Sequence, residues 1–151
     1  MVTIELPVKP YIRNYLEVNF GKPVKLTRES HVGKFFFLLT ESTSRRHDKK
    51  YSPYKDRVNI VITENAYLRN GSLITPTGIM DFNNFMEDLI KIQLFTYIDA
   101  LRESSTINLK SAFERYRDKF EIDESSFSYE NIKKTYYRYT RRTMSQTLIS
   151  K

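Results

Sequence analysis

Apolar residues recur along this chain at intervals of three and four over most of its length, and at intervals of two only in short stretches. The pattern predicts an α+β fold that is predominantly helical. Pro7 and Pro10 stand where a first helix can open, because the N–H that proline lacks has no helical partner in a first turn. Tyr11, Ile12, Tyr15, Leu16 and Phe20 then line one face, and Gly21 supplies a C-terminal stop. Between Pro23 and Thr27 the interval falls to two, Val24 and Leu26 alternating with Lys25 and Thr27, which reads as a short strand. The run from His31 to Leu39 is nearly all apolar and too short for periodicity to choose; the expectation is a strand or the end of a helix. Val58, Ile60 and Ile62 give the clearest strand, and Tyr67 to Arg69 reads as a second extended piece entering an Asn70-Gly71 turn.

The second half is helical by the same reasoning. Thr75 caps and Pro76 opens a long helix whose apolar face is Ile79, Phe82, Phe85, Met86, Leu89, Ile90, Leu94, Tyr97, Ile98 and Leu101, ending at Ser104-Ser105-Thr106. Asn108 caps a further helix with the stripe Leu109, Ala112, Phe113, Tyr116 and Phe120. After a turn over 123–128, a last helix over Ser128 to Thr143 turns Tyr129, Ile132, Tyr136 and Tyr139 inward, with a frayed polar tail from Ser145. The elements divide into an α+β N-terminal domain, 1–104, with a loop over 42–57, and a C-terminal helical hairpin, 105–151. A length of 151 residues suits one core with such an appendage.

Charge changes the picture through its distribution. The formal net charge is +7, yet residues 58–107 carry three Lys or Arg against six acids. Residues 42–57 carry six cations against two acids and 128–151 six against one, so the basic excess is local. On the last helix the inward tyrosines fix the opposite face by spacing: Lys133, Tyr137 and Arg141 form one four-residue row, Lys134, Arg138 and Arg142 the next. Grouped cations are what a polyanion needs, because affinity comes from releasing the counterions condensed on its phosphates. In the loop, Arg45, Arg46, Lys49, Lys50, Lys55 and Arg57, with Tyr51 and Tyr54, combine charge with stacking surface. An ordinary solvated surface that only aids solubility is the competing account of both clusters.

Catalytic chemistry finds little purchase. Without cysteine there is no disulfide, thiolate metal site or thiol nucleophile, and an intracellular, cytoplasmic setting is expected. His31 and His47 are the two histidines, sixteen residues apart, and assemble no paired-histidine metal site. The four glycines are scattered and form no phosphate-binding loop. Carboxylates for a two-metal nuclease would have to come from Glu64, Asp81, Glu87 or Asp88, of which Glu87 and Asp88 read as the solvated side of the long helix. The expectation is a protein that is not an enzyme and has no cofactor or metal. No export signal is expected at the N-terminus, and no apolar run approaches the roughly 20 residues that span a bilayer, so no membrane partner is expected.

Helix, polar turn and basic helix follow the order of a helix-turn-helix unit, although the turn over 123–128 exceeds the three or four residues of the compact motif. The segment Phe127-Ser128-Tyr129-Glu130-Asn131-Ile132-Lys133-Lys134-Thr135-Tyr136-Tyr137-Arg138-Tyr139 resembles small proteins of bacteriophages and mobile elements that carry a helix-turn-helix-like C-terminal segment. The resemblance spans residues 105–143 and carries no site across; it implies an accessory or regulatory DNA-binding protein in a bacterial cell. The expected partner is nucleic acid, DNA ahead of RNA, with base reading from Ser128, Asn131, Lys133 and Lys134. Two other readings stay open: an RNA-binding protein, and a structural or assembly component oligomerising through Phe82, Phe85, Met86 and Leu89 of the long helix.

Overall fold

A computed structural model describes residues 1–41 and 53–149, with the side chains of 41 and 144–149 left aside. The fold is α+β and predominantly helical. It comprises two compact units, 1–89 and 90–151, whose boundary falls inside the long helix.

The first unit opens with strand β1, Val2–Val8, and helix α1, Pro10–Phe20, which begins at its proline and stops at Gly21, where φ is +88°. Strand β2, Val24–Lys25, helix α2, His31–Leu39, strand β3, Thr40–Glu41, and strand β4, Asp56–Ile62, follow. Helix α3, Glu64–Asn70, strand β5, Leu73–Ile74, and the start of helix α4, Pro76–Ser104, complete the unit. β1 and β4 pair antiparallel from Val2↔Ile62 to Val8↔Asp56, and β2 joins the other edge of β4 in parallel, Val24 opposite Ile60. A second, two-stranded sheet pairs β3 with β5. Leu6, Val8, Ile12, Leu16, Val24, Ile60, Ile62, Phe36, Phe82 and Met86 form the buried core.

Three segments depart from the sequence reading. The apolar run 31–39 is the helix α2, because Ser30 caps it: its hydroxyl accepts from the Gly33 N–H at 2.9 Å. Gly33 is needed there, since a Cβ would lie 1.8 Å from the Thr27 carbonyl oxygen. Tyr67 to Arg69 is helical within α3, capped by the Thr63 hydroxyl on the Ala66 N–H at 3.2 Å, and Gly71 is its stop at φ +76°. β1 is a strand that the sequence reading did not identify; Pro7 is tolerated because, among the described residues, β1 pairs on one side only.

The second unit holds the rest of α4 with helix α5, Leu109–Lys119, and helix α6, Tyr129–Ile149. Asn108 caps α5 as expected, its Oδ1 accepting from the Ser111 N–H at 2.8 Å. Ile90, Leu94 and Ile98 of α4, the expected α5 stripe, and Ile132 and Tyr136 of α6 are all buried. α6 runs past Thr143 to Ile149 instead of fraying, and the α5–α6 connection spans 120–128, longer than the turn expected. Phe127 explains the length: it is buried and its ring lies 5.8 Å from that of Phe113, so the connection contributes to the core. Among the described residues no helix is long and apolar enough to cross a membrane.

Candidate nucleic-acid interface

α6 is fixed by aromatic contacts on one side. Tyr129 lies 5.7 Å from Phe113, and Tyr136 and Tyr139 lie 5.6 Å and 4.9 Å from Phe95. The Tyr136 hydroxyl donates to Asp99 Oδ1 at 2.6 Å, and Arg102 stands by the same hydroxyl. Burial and the Asp99 carboxylate raise the Tyr136 pKa, so this phenol is a neutral structural donor.

With that side committed, Lys134, Tyr137, Arg138, Arg141 and Arg142 are exposed on α6, and Lys133 is half-buried with its ammonium 5.9 Å from the Tyr129 ring. Lys134, Arg138 and Arg142 make no ion pair with a described residue. The acid on α6 is Glu130, in the first turn, where it complements the helix dipole. α5 contrasts: its exposed positions Lys110, Glu114, Arg115, Asp118 and Lys119 mix both signs within one or two turns.

The loop cluster is only partly placed. Arg45, Arg46, Lys49 and Lys50 lie outside the described residues, and Lys55 is exposed. Arg57 is not a loop residue: it belongs to β4, and its Nε lies 3.3 Å from Glu5 Oε1, so its charge is shared with an acid of β1. Of the four residues expected to carry an oligomer interface, Phe82 and Met86 are fully buried in the first unit and Phe85 stacks on Phe35 at 4.3 Å. Those three side chains are engaged by the chain's own core. His31 is exposed at the first position of α2, and among the described residues no group of His, Asp and Glu is placed to hold a metal ion.

Sequence reasoning missed Arg102. It lines an open groove of about 410 Å³ with Asp99, Tyr136, Tyr137, Thr140 and Thr143. Nothing in the spacing of α4 relates it to a helix that begins at Tyr129. No family model matches the chain, and no curated protein or solved structure is significantly similar to it.

Proposed function

We propose that this protein binds nucleic acid, duplex DNA first, through the outward face of α6, in an accessory or regulatory role without catalysis. One observation carries the reading: Lys134, Arg138 and Arg142 form an exposed column, without an ion pair among the described residues, on the helix face opposite Ile132 and Tyr136, flanked by exposed Arg141. A column of cations one turn apart follows a phosphate backbone, and phosphate contacts supply most of non-specific affinity. The test is fluorescence anisotropy with a labelled short duplex over a salt series, comparing the parent with Lys134→Ala/Arg138→Ala/Arg142→Ala. Exposed substitutions usually change stability by less than about 0.5 kcal/mol each, so the variant should fold. It should bind more weakly, and the slope of log affinity against log salt should fall by about 0.9 for each phosphate no longer neutralised, up to ~2.7. Equal affinity and slope in parent and variant would leave the column a solvated surface.

A further inference from the structure

Tyr137 is the aromatic side chain that α6 leaves in water. It is 47% exposed, whereas Tyr129, Tyr136 and Tyr139 of the same helix are buried or half-buried. Its ring meets that of Tyr136 edge-on, centroids 5.9 Å apart, and forms one wall of the groove that Arg102 lines from α4. Neighbours three and four residues away on a helix surface adjoin, which sets Lys133, Lys134 and Arg141 around Tyr137. The Asp99 carboxylate, the acid in the groove, is engaged by the Tyr136 hydroxyl.

An exposed aromatic ring flanked by cations has little to offer the stacked interior of a duplex. It matches a single strand, whose bases present free π-faces beside their own phosphates. We propose that this groove receives an unpaired nucleobase stacked on Tyr137, with the adjoining phosphates on Lys134 and Arg141, so that the protein holds single-stranded nucleic acid at the flank of its duplex-binding face. This rests on the nucleic-acid reading of α6 and adds to it a ligand class and a place.

The test uses the full chain with oligo-dT and with a duplex of equal length. Tyr137→Ala should weaken oligo-dT binding about tenfold while duplex affinity stays within about twofold, because stacking serves only the unpaired base. Its melting temperature should match the parent's. The chain has no tryptophan, so Tyr137→Trp supplies a lone reporter whose emission should be quenched by saturating oligo-dT and much less by duplex. Tyr137→Ala that binds oligo-dT as tightly as the parent, or weakens oligo-dT and duplex binding equally, overturns the groove proposal. So does Tyr137→Trp emission that oligo-dT leaves unchanged, a measurement that stands even if the alanine variant folds poorly. Duplex binding that depends on Lys134, Arg138 and Arg142 would survive those outcomes, whereas a parent that binds neither oligonucleotide removes both readings.

Discussion

Replacing Asn83 with leucine should remove the polar link between the end of β1 and the long helix. The side chain is fully inaccessible; its Nδ2 donates to the Pro7 carbonyl at 3.1 Å and the Ile79 carbonyl at 2.9 Å, and its Oδ1 accepts from the Lys9 N–H at 3.0 Å. The three bonds are unequal. Ile79 lies four residues earlier in the same helix, so its carbonyl keeps a helical partner, whereas Lys9 is the N-cap residue of α1 and its N–H lies outside the hydrogen bonding of that helix. Leaving a buried donor or acceptor without a partner costs about 1–3 kcal/mol, so removing the bonds to Lys9 and Pro7 predicts roughly 2–6 kcal/mol in all. Leucine shares the branching of asparagine but is larger, so it leaves no cavity, and the strain of fitting it adds to the loss. Urea unfolding followed by circular dichroism should show a lower midpoint with an unchanged denaturant slope. Asn83→Asp sharpens the reasoning. The new carboxyl retains an acceptor for Lys9 but faces two carbonyls with its other oxygen, and it can donate only when protonated. Its folded pKa should therefore rise above the unfolded value near 3.9. The sign follows: the variant approaches the parent's stability below pH ~4 and loses it as pH rises through the folded pKa. A leucine variant within about 0.5 kcal/mol of the parent, or an aspartate deficit independent of pH, would refute the assignment.

Two further outcomes follow from packing in the first unit. Burial first, and then the Glu87 carboxylate with its charge and hydrogen bond, push the Tyr11 pKa far above its ordinary value, so folded Tyr11 stays neutral at pH values where the unfolded phenol ionises. Its contribution is complete below pH ~10 and falls by up to about 1.4 kcal/mol per unit above it; urea midpoints from pH 9 to 11 should decline less steeply in Tyr11→Phe, and equal slopes would contradict the placement. Gly33→Ala should cost about 1–3 kcal/mol or more, because the added Cβ would meet backbone 1.8 Å away, and a melting temperature equal to the parent's would mean that α2 sits differently.

How much of this was readable in the sequence depended on whether an element's own residues decide it. α1, α4 and α5 carry a cap or opening proline and a continuous apolar stripe, and the residues of their predicted faces are buried or half-buried. α2 and α3 have caps too, at Ser30 and Thr63, but no polar–apolar contrast: α2 is apolar nearly all round, with Leu38 in solvent, and α3 buries no residue. With periodicity silent, the capping hydroxyls were the remaining local signal. β1 alternates from Thr3 to Leu6, Ile4 and Leu6 buried and Thr3 and Glu5 exposed, and then loses the alternation at Pro7, which is buried between Leu6 and Val8 and whose acceptability depends on the strand being at an edge. Arg57 was misplaced for a related reason: polar residues at a strand's start look like the loop before it, and the Glu5 that shares its charge is distant in sequence.

The candidate site divides along the same line. A helix has one solvent face, found by subtraction once its buried face is known, so Ile132 and Tyr136 sufficed to place Lys134, Arg138 and Arg142 outward. The groove is a property of two elements. Tyr136 donates to Asp99 across 37 residues of chain, and contacts of that range, with Phe95 on Tyr136 and Tyr139, bring Arg102 to the flank of a helix whose spacing shows Tyr137 as one more exposed residue. A cation face alone binds phosphate indifferently; on the proposed reading, an exposed ring beside it and Arg102 of α4 supply a means of distinguishing an unpaired strand from a duplex. The distinction therefore has to be sought at Tyr137 and not in the number of cations.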